Sequence, residues 1–546
     1  SNWVYAFCTT PSNSTSRGTA LKKIEIYDTT LRDGTQAEDV NFSLDDKCDI
    51  ALKLDQLGVD FIEAGWPGAN PKDDKLFSTL RQMKLKKAKV FAFGSTCKPG
   101  KRPEKDRMIQ SLVAARPDGV AIFGKAWDAH VLGKGGLGCS LEENLRIIRE
   151  TIAYLKPHFA QIFFDAEHFF DGFRNNREYA LSVLKSAKEG GADRIVLCDT
   201  NGGSLPSEIA EAVSFLTSNL AAPLGIHCHN DGDLAVANSI TAVQSGIDHI
   251  QGTINGLGER CGNANLCSIV PNLSIKMGYV TLPPERMHML NDVSRYVGDI
   301  GNLSHNKHQP YVGESAFAHK AGIHVSAVID DPTMYEHIDP ALVGNQRRVL
   351  VSDQAGKSNI IFKAREFNID LAKDDTTANE IVRIIKDLEN CGFQFEGADA
   401  SLELLMKKAM GAHMRSFKLK GFRVNTDRRS DDTDPISEAT IMIEVDGSIE
   451  HTAAMGNGPV NALDQALRKA LQKFYPCIQD VELLDYKVRV ISSKKGTGSV
   501  VRVLIESGDK KDHWNTVGVS TNIIEASWMA LVDSMDYKLY KDSKRS

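Results

Sequence analysis

The chain has 546 residues, enough for three or four domains of about 150 residues or for one large barrel with additions. Its 65 basic and 71 acidic residues leave a formal charge of −6 and a pI near 6.2, which argues against nucleic acid or an anionic membrane surface as the main partner, since both need a basic face. No apolar run is long enough to suggest a spanning helix, and ten scattered cysteines without a CxxC pair point to a reducing compartment, most simply the cytoplasm.

The first twenty residues contain no acid and many Ser and Thr. Residues 1–21 are therefore expected to be a disordered tail, an expression remnant or the remnant of a transit peptide, the last implying a plastid or the mitochondrial matrix. From residue 22 short apolar runs alternate with amphipathic helical stretches, the pattern of βα units on a parallel sheet. Eight strands are predicted, at 23–28, 59–65, 89–95, 119–125, 160–167, 193–200, 224–229 and 249–255. Ser43 and a Ser140/Glu143 capping box announce helices, and Pro206 suits a first helical turn. Eight such units in about 255 residues fit a (β/α)8 TIM barrel over 22–283. A doubly wound nucleotide-binding sheet is disfavoured, because no glycine-rich phosphate loop follows the first strand.

Residues 284–412 read as helical linker subdomains, and 413–546 as an α+β domain with an internal ββα-type repeat. Within it, 425–435 reads as an exposed loop, and Asn461 and Asn522 each open a helix after a glycine-containing turn.

A TIM barrel carries its site at the C-terminal ends of the strands. There the sequence places Arg32, Asp33 and Gln36, then Glu63, Lys125 with His130, Glu167, Thr200, and the pair His227 and His229. Two histidines two apart on a strand share a face and can hold one ion, with a carboxylate from another strand completing the set. Asp33 is the favoured carboxylate, with Asp231 and Glu259 as rivals. Arg32 suits an oxyanion clamp, and Thr200 can bond a second carboxylate oxygen. Glu167, set among Phe163, Phe164, Phe169 and Phe170, is expected to be desolvated into a general-base range. Helix N-termini near Gly456, Gly458 and Asn461, and near Gly518 and Asn522, could take the carboxylate of a free amino acid.

The segments DTTLRDGTQ (28–36), HCHND (227–231) and GLGERCGNANL (256–266) resemble the signatures of the isopropylmalate, homocitrate and citramalate synthase superfamily. IEAGWPG (62–68), FGKAWDAHV (123–131) and DAEHFFDGF (165–173) are more similar to its citramalate branch. The resemblance runs from about residue 22 to the end and implies condensation of acetyl-CoA with pyruvate to citramalate and CoA, serving isoleucine synthesis. By position it implies Asp33, His227, His229 and Asn263 as ligands of one divalent cation (Zn, Mn, Mg or Co). It likewise implies Arg32 and Thr200 on the keto acid, Gln36, Glu63 and His130 around it, and Glu167 as a catalytic carboxylate. His324 and Tyr335 match catalytic residues that the family's post-barrel segment brings from a partner subunit, so a homodimer or larger assembly is implied. Cys261 departs from the motif, which commonly has a small residue there, and is assigned no role. The C-terminal repeat resembles the family's regulatory domain and implies isoleucine as an allosteric inhibitor.

Three alternatives stand beside this. One is a 2-isopropylmalate synthase taking 2-oxoisovalerate in leucine synthesis, since pocket size is not legible in the sequence. A second is a lyase or aldolase of the same barrel superfamily. The third is a catalytically inactive amino-acid sensor.

Overall fold

The computed structural model describes residues 21–133, 135–351, 356–371, 376–413, 415–428, 430–431, 434–491 and 498–545. The N-terminal tract expected to be a tail or transit remnant lies, but for Leu21, outside the described residues. The chain forms two compact units, one up to Phe317 with Ile338–Gln346, the other comprising Ala318–His337 and the residues from Arg347 on.

The first unit is a closed barrel of eight parallel strands. They are β1 (Glu25–Asp28), β2 (Phe61–Gly65), β3 (Lys89–Ser95), β4 (Gly119–Lys125), β5 (Gln161–Glu167), β6 (Arg194–Asp199), β7 (Leu224–Cys228) and β8 (His249–Gly252). β8 closes on β1 with Glu25 opposite His249 and Asp28 opposite Gly252. Because side chains alternate along a strand, one set faces the interior and the other packs under the helices. Tyr27, Phe61, Phe91 and Phe163 form their own interior cluster, whereas Ile62, Ile122, Phe164 and Ile226 belong to the large core shared with the helices. Burying each such ring or branched chain contributes roughly 1.5–3 kcal/mol.

Local signals set the helix ends. Ser43 Oγ accepts from Asp46 N at 3.1 Å and the Asp46 carboxylate accepts from Ser43 N at 2.7 Å, opening the helix Leu44–Leu57. That helix stops at Gly58, whose φ of +95° favours glycine, and where a Cβ would lie 2.6 Å from Pro283. At Leu141–Leu155 the expected capping box is only half formed. Ser140 Oγ accepts from Glu143 N, but the Glu143 carboxylate turns to Gly100 N and Arg146 instead. Pro206 occupies the first position of the helix Pro206–Asn219, as expected.

In the second unit β9 (Ala318–His319) pairs with β10 (Arg348–Val349), and helices Gly322–Asp330, Lys357–Glu366, Thr376–Asn390 and Asp399–Ala409 accompany them. Two antiparallel meanders follow. β11 (Lys418–Asp427), β12 (Ile436–Val445) and β13 (Ser448–Gly456) precede the helix Pro459–Gln472. β14 (Glu482–Val490), β15 (Val501–Gly508) and β16 (His513–Ser520) precede the helix Ile523–Arg545. Each half thus adds one strand to the ββα plan. Asn425–Asp427, expected in a loop, pair with Glu438–Ile436 as the end of β11. Gly518 lies inside β16, where a Cβ would strike Ala526 O at 2.0 Å, so the strand needs glycine to receive its helix. Asn522 caps the helix Ile523–Arg545 by accepting from Ile524 N at 2.8 Å. Asn461 does not open its helix: Gly458 is the N-cap, Pro459 comes first, and Asn461 Oδ1 reaches back to Asn457 N.

Candidate active site

The turn after β1 builds one side of the site. The carbonyl of Thr29 accepts from the amides of Arg32, Asp33 and Gly34 at 3.2, 2.9 and 3.0 Å, folding the chain back over the barrel mouth. Asp28 is spent on that turn: it accepts from Thr30 N and Thr30 Oγ1, and burial pushes its carboxyl up to about 7. Asp33 is left to face the mouth.

Its Oδ2 lies 3.3 Å from His227 Nε2, which lies 3.3 Å from His229 Nε2. One ligand atom from each of Asp33, His227 and His229 falls within 4.8 Å of the others, and all three residues are buried. Burial disfavours the Asp33 carboxylate, but Arg32 and then the two imidazoles hold it far below the usual range. Burial also opposes charge on His227, yet its bond to Asp33 and the charge there raise it. His229 is pushed down to about 3, by burial and then by His227. A carboxylate that stays ionised beside an imidazole that stays neutral is the donor set a divalent cation takes.

Unpaired polar atoms support that fit. Among the described residues, Asp33 Oδ1, His229 Nδ1 and both amide atoms of Asn263 are buried without a hydrogen-bond partner. Each would cost about 1–3 kcal/mol unless something else met it. Asn263 is held beside His229 by a backbone bridge between the two. The rival carboxylates are engaged elsewhere: Asp231 accepts both Nε and a terminal nitrogen of Arg260, at 2.8 and 2.9 Å, and Glu259 pairs with the same arginine.

Arg32 stands next in line. Its Nε donates to Glu63 Oε1 at 2.5 Å, a terminal nitrogen lies 3.6 Å from Asp33, and its guanidinium sits 3.7 Å over the Phe93 ring. Burial works against its charge, but Glu63 and Asp33 outweigh it and hold the guanidinium above its ordinary range. Glu63 is fully buried and also accepts from the Tyr27 hydroxyl at 2.7 Å. It lies beneath Arg32 and is not part of the cavity wall, which corrects the expectation that it lines the pocket.

A cavity of about 230 Å³ opens over these groups. Arg32, Asp33, Gln36, Glu167, Thr200, His227 and His229 line it, and so do Trp66, Phe93, Phe123, Asp165 and Arg260, which sequence reasoning gave no role. Trp66 meets Phe93 and Phe123 edge-on at 5.4 and 5.7 Å, making an aromatic wall. Three of the missed residues had a readable signal. Phe93, Phe123 and Asp165 lie two before Ser95, Lys125 and Glu167 on their strands, and so share the inward face.

Two other expectations change. Glu167 was expected in an apolar pocket. Its phenylalanine neighbour Phe164 faces outward, and the Glu167 side chain, 24% exposed, pairs with Lys125 Nζ. His130 does not line the cavity. It stacks on Trp127 at 4.8 Å and meets His168 at 4.3 Å. Thr200 Oγ1 accepts from His168 N at 2.8 Å, and its carbonyl accepts from Arg260. His324 and Tyr335 belong to the second unit, where both are exposed and their rings lie 4.3 Å apart.

Comparison with known proteins bears on the whole chain. Residues 23–297 match the family model described as HMGL-like. Residues 311–392 match a homocitrate synthase post-HMGL domain-like model, and 396–539 the LeuA allosteric (dimerisation) domain. The (R)-citramalate synthase of Geobacter sulfurreducens is 56% identical over 524 residues, 96% of this chain and 99% of the relative. That of Aquifex aeolicus is 52% identical over 524 residues, with the same coverage. The 2-isopropylmalate synthase of Methanocaldococcus jannaschii is 31% identical over 527 residues, 96% of each chain.

Proposed function

We infer the reaction from one premise: the chain belongs to the HMGL-like family and, within it, to the citramalate synthases, acyl-CoA condensing transferases. On that basis the protein condenses acetyl-CoA with pyruvate to (R)-citramalate and CoA, a step toward isoleucine. The observation that carries this reading is the convergence of Asp33, His227 and His229 beside Arg32 under one small cavity.

Asp33, His227 and His229, with Asn263 as a fourth, would hold a divalent cation (Zn, Mn, Mg or Co), which when bound would supply Lewis acidity toward the 2-oxo acid. Arg32, kept charged by Glu63, holds the ketone oxygen as negative charge develops on it. Thr200 receives a backbone N–H on its oxygen and has its own O–H to give to the substrate carboxylate. Gln36 lines the same space. Glu167 takes a proton from the acetyl methyl group, and the resulting carbanion forms the new C–C bond at the ketone carbon. Lys125 stands against that carboxylate. A proton then neutralises the alkoxide, and water cleaves the thioester, releasing CoA and making the condensation effectively irreversible. His324 and Tyr335 are carried over by resemblance as the catalytic residues that one protomer of the dimer supplies to its partner.

The same reading gives the C-terminal repeat a regulatory role, with isoleucine as inhibitor bound near Gly456, Gly458, Asn461, Gly518 and Asn522, and makes the protein a homodimer. The match to an allosteric dimerisation domain supports both. Bacterial relatives support a cytoplasmic location. Among the described residues no helix is long and apolar enough to cross a membrane.

The test is CoA release from acetyl-CoA against a panel of 2-oxo acids, with and without isoleucine. Pyruvate should lead the panel and isoleucine should slow it. A clear preference for 2-oxoisovalerate would instead make the protein a 2-isopropylmalate synthase, the activity named for the relative at 31% identity.

A further inference from the structure

His227 and Gln251 are direct register partners on β7 and β8, so both side chains enter the barrel interior at one level. Gln251 is fully buried. Its Oε1 lies 2.9 Å from His227 Nδ1, and its Nε2 donates to Asp165 Oδ1 at 3.4 Å from the opposite side. The reaction as proposed above uses neither end of this amide.

The placing of the amide sets the direction of the chain. Its NH2 end is turned to Asp165, whose oxygen accepts from it. The oxygen end then faces His227, and an amide oxygen can only accept. Nδ1 must therefore carry the ring proton, and the second nitrogen, Nε2, is the one turned to Asp33 and His229, at 3.3 Å from each ligand atom. His229 has no such restraint, since its Nδ1 is without a hydrogen-bond partner among the described residues.

We propose that Gln251 is a positioning residue of the cation site, locking His227 in the ring orientation and tautomer that present Nε2 to the ion, with Asp165 holding the amide the right way round. This rests on the reading of Asp33, His227 and His229 as the cation ligands. Partners of this kind around ligating histidines typically change metal affinity by roughly 10–100-fold. Asp165 consequently serves the site through Gln251, whatever else it does at the cavity wall.

The test uses the full-length chain stripped of metal and titrated with Co2+ alone, read by its visible absorption and by competition with a chromophoric chelator. Gln251→Met keeps the length of the side chain and removes both amide ends. It should bind Co2+ roughly 10–100-fold more weakly than the parent, with an altered visible spectrum. Phe163→Leu, at the far end of the barrel interior, should lower the urea midpoint while binding Co2+ as the parent does, which separates positioning from general loosening. If Gln251→Met does not fold, Gln251→Asn gives the same reading, since an amide one methylene shorter cannot span both partners. Parental affinity and spectrum in a folded Gln251 variant would overturn the role given to Gln251 while leaving the cation site intact. A parent chain that fails to bind Co2+ would instead overturn the site itself, and this role with it.

Discussion

The two ends of the barrel interior use nearly the same residue types and do opposite things with them. At the N-terminal end of the strands, His249 sits against Glu25 at 3.1 Å, Arg194 pairs with Glu25 and Asp248, and Tyr27, Phe61 and Phe163 close around the imidazole. At the C-terminal end, His227 and His229 face Asp33 and Arg32 beneath a cavity. Below, rings fill the space around the imidazole and the charges pair with one another, leaving the His249 Nε2 atom enclosed by aromatic side chains without a hydrogen-bond partner among the described residues. Above, buried polar atoms of Asp33, His229 and Asn263 stay unpaired. Chemistry is thus marked by several unpaired polar atoms converging under a cavity, since a histidine, a carboxylate and an unpaired nitrogen occur at both ends.

Substitutions at either end sharpen that contrast. Phe163→Ala should open the packed end and cost about 3–5 kcal/mol of stability in a denaturant titration, with kcat of the folded enzyme unchanged. A large fall in kcat with little loss of stability would mean that the lower end is not a mere plug. Arg32→Ala should strike the reaction itself, lowering kcat of the folded enzyme about 10²–10³-fold, or about 2.7–4 kcal/mol of barrier, and by leaving the buried Glu63 charge unpaired it should also cost about 3–5 kcal/mol of stability. A near-normal rate would remove Arg32 from the reaction.

The smallest effect comes from pH. Burial, partly offset by Glu25, lowers His249 to about 4, below the roughly 6.5 of an unfolded chain. The unfolded state therefore takes up the proton first as pH falls. Stability from this group is complete above about pH 6.5 and is lost on the way down to 4, by at most about 3 kcal/mol. His249→Gln should flatten this part of the stability profile. An unchanged slope would show that the imidazole is not the group responsible.

The barrel was legible because its signals are strong and local: short β-branched runs, helical periodicity, a cap at Ser43 and a first-turn proline at Pro206. So was the rim, since strand ends name their own residues once the barrel is assumed. What escaped detection depended on facing. Phe164 beside Glu167 suggested an apolar pocket, but alternation sends the ring outward and leaves the carboxylate with Lys125. Gln251 and Asp165 drew no reading from the sequence, because their partners come from other strands, 24 and 86 positions away. In the second unit β11 is largely exposed and rich in charge, and β16 runs buried over four consecutive residues, so neither alternates cleanly and each half reads one strand short.

The most direct test of the central claim is pyruvate-dependent CoA release from acetyl-CoA, followed through chelation and metal return. If Asp33, His227 and His229 hold the ion that activates the ketone, release should vanish in the stripped enzyme, return on adding one divalent cation, and fail to return in Asp33→Ala. Full pyruvate-dependent release by the stripped enzyme would contradict it.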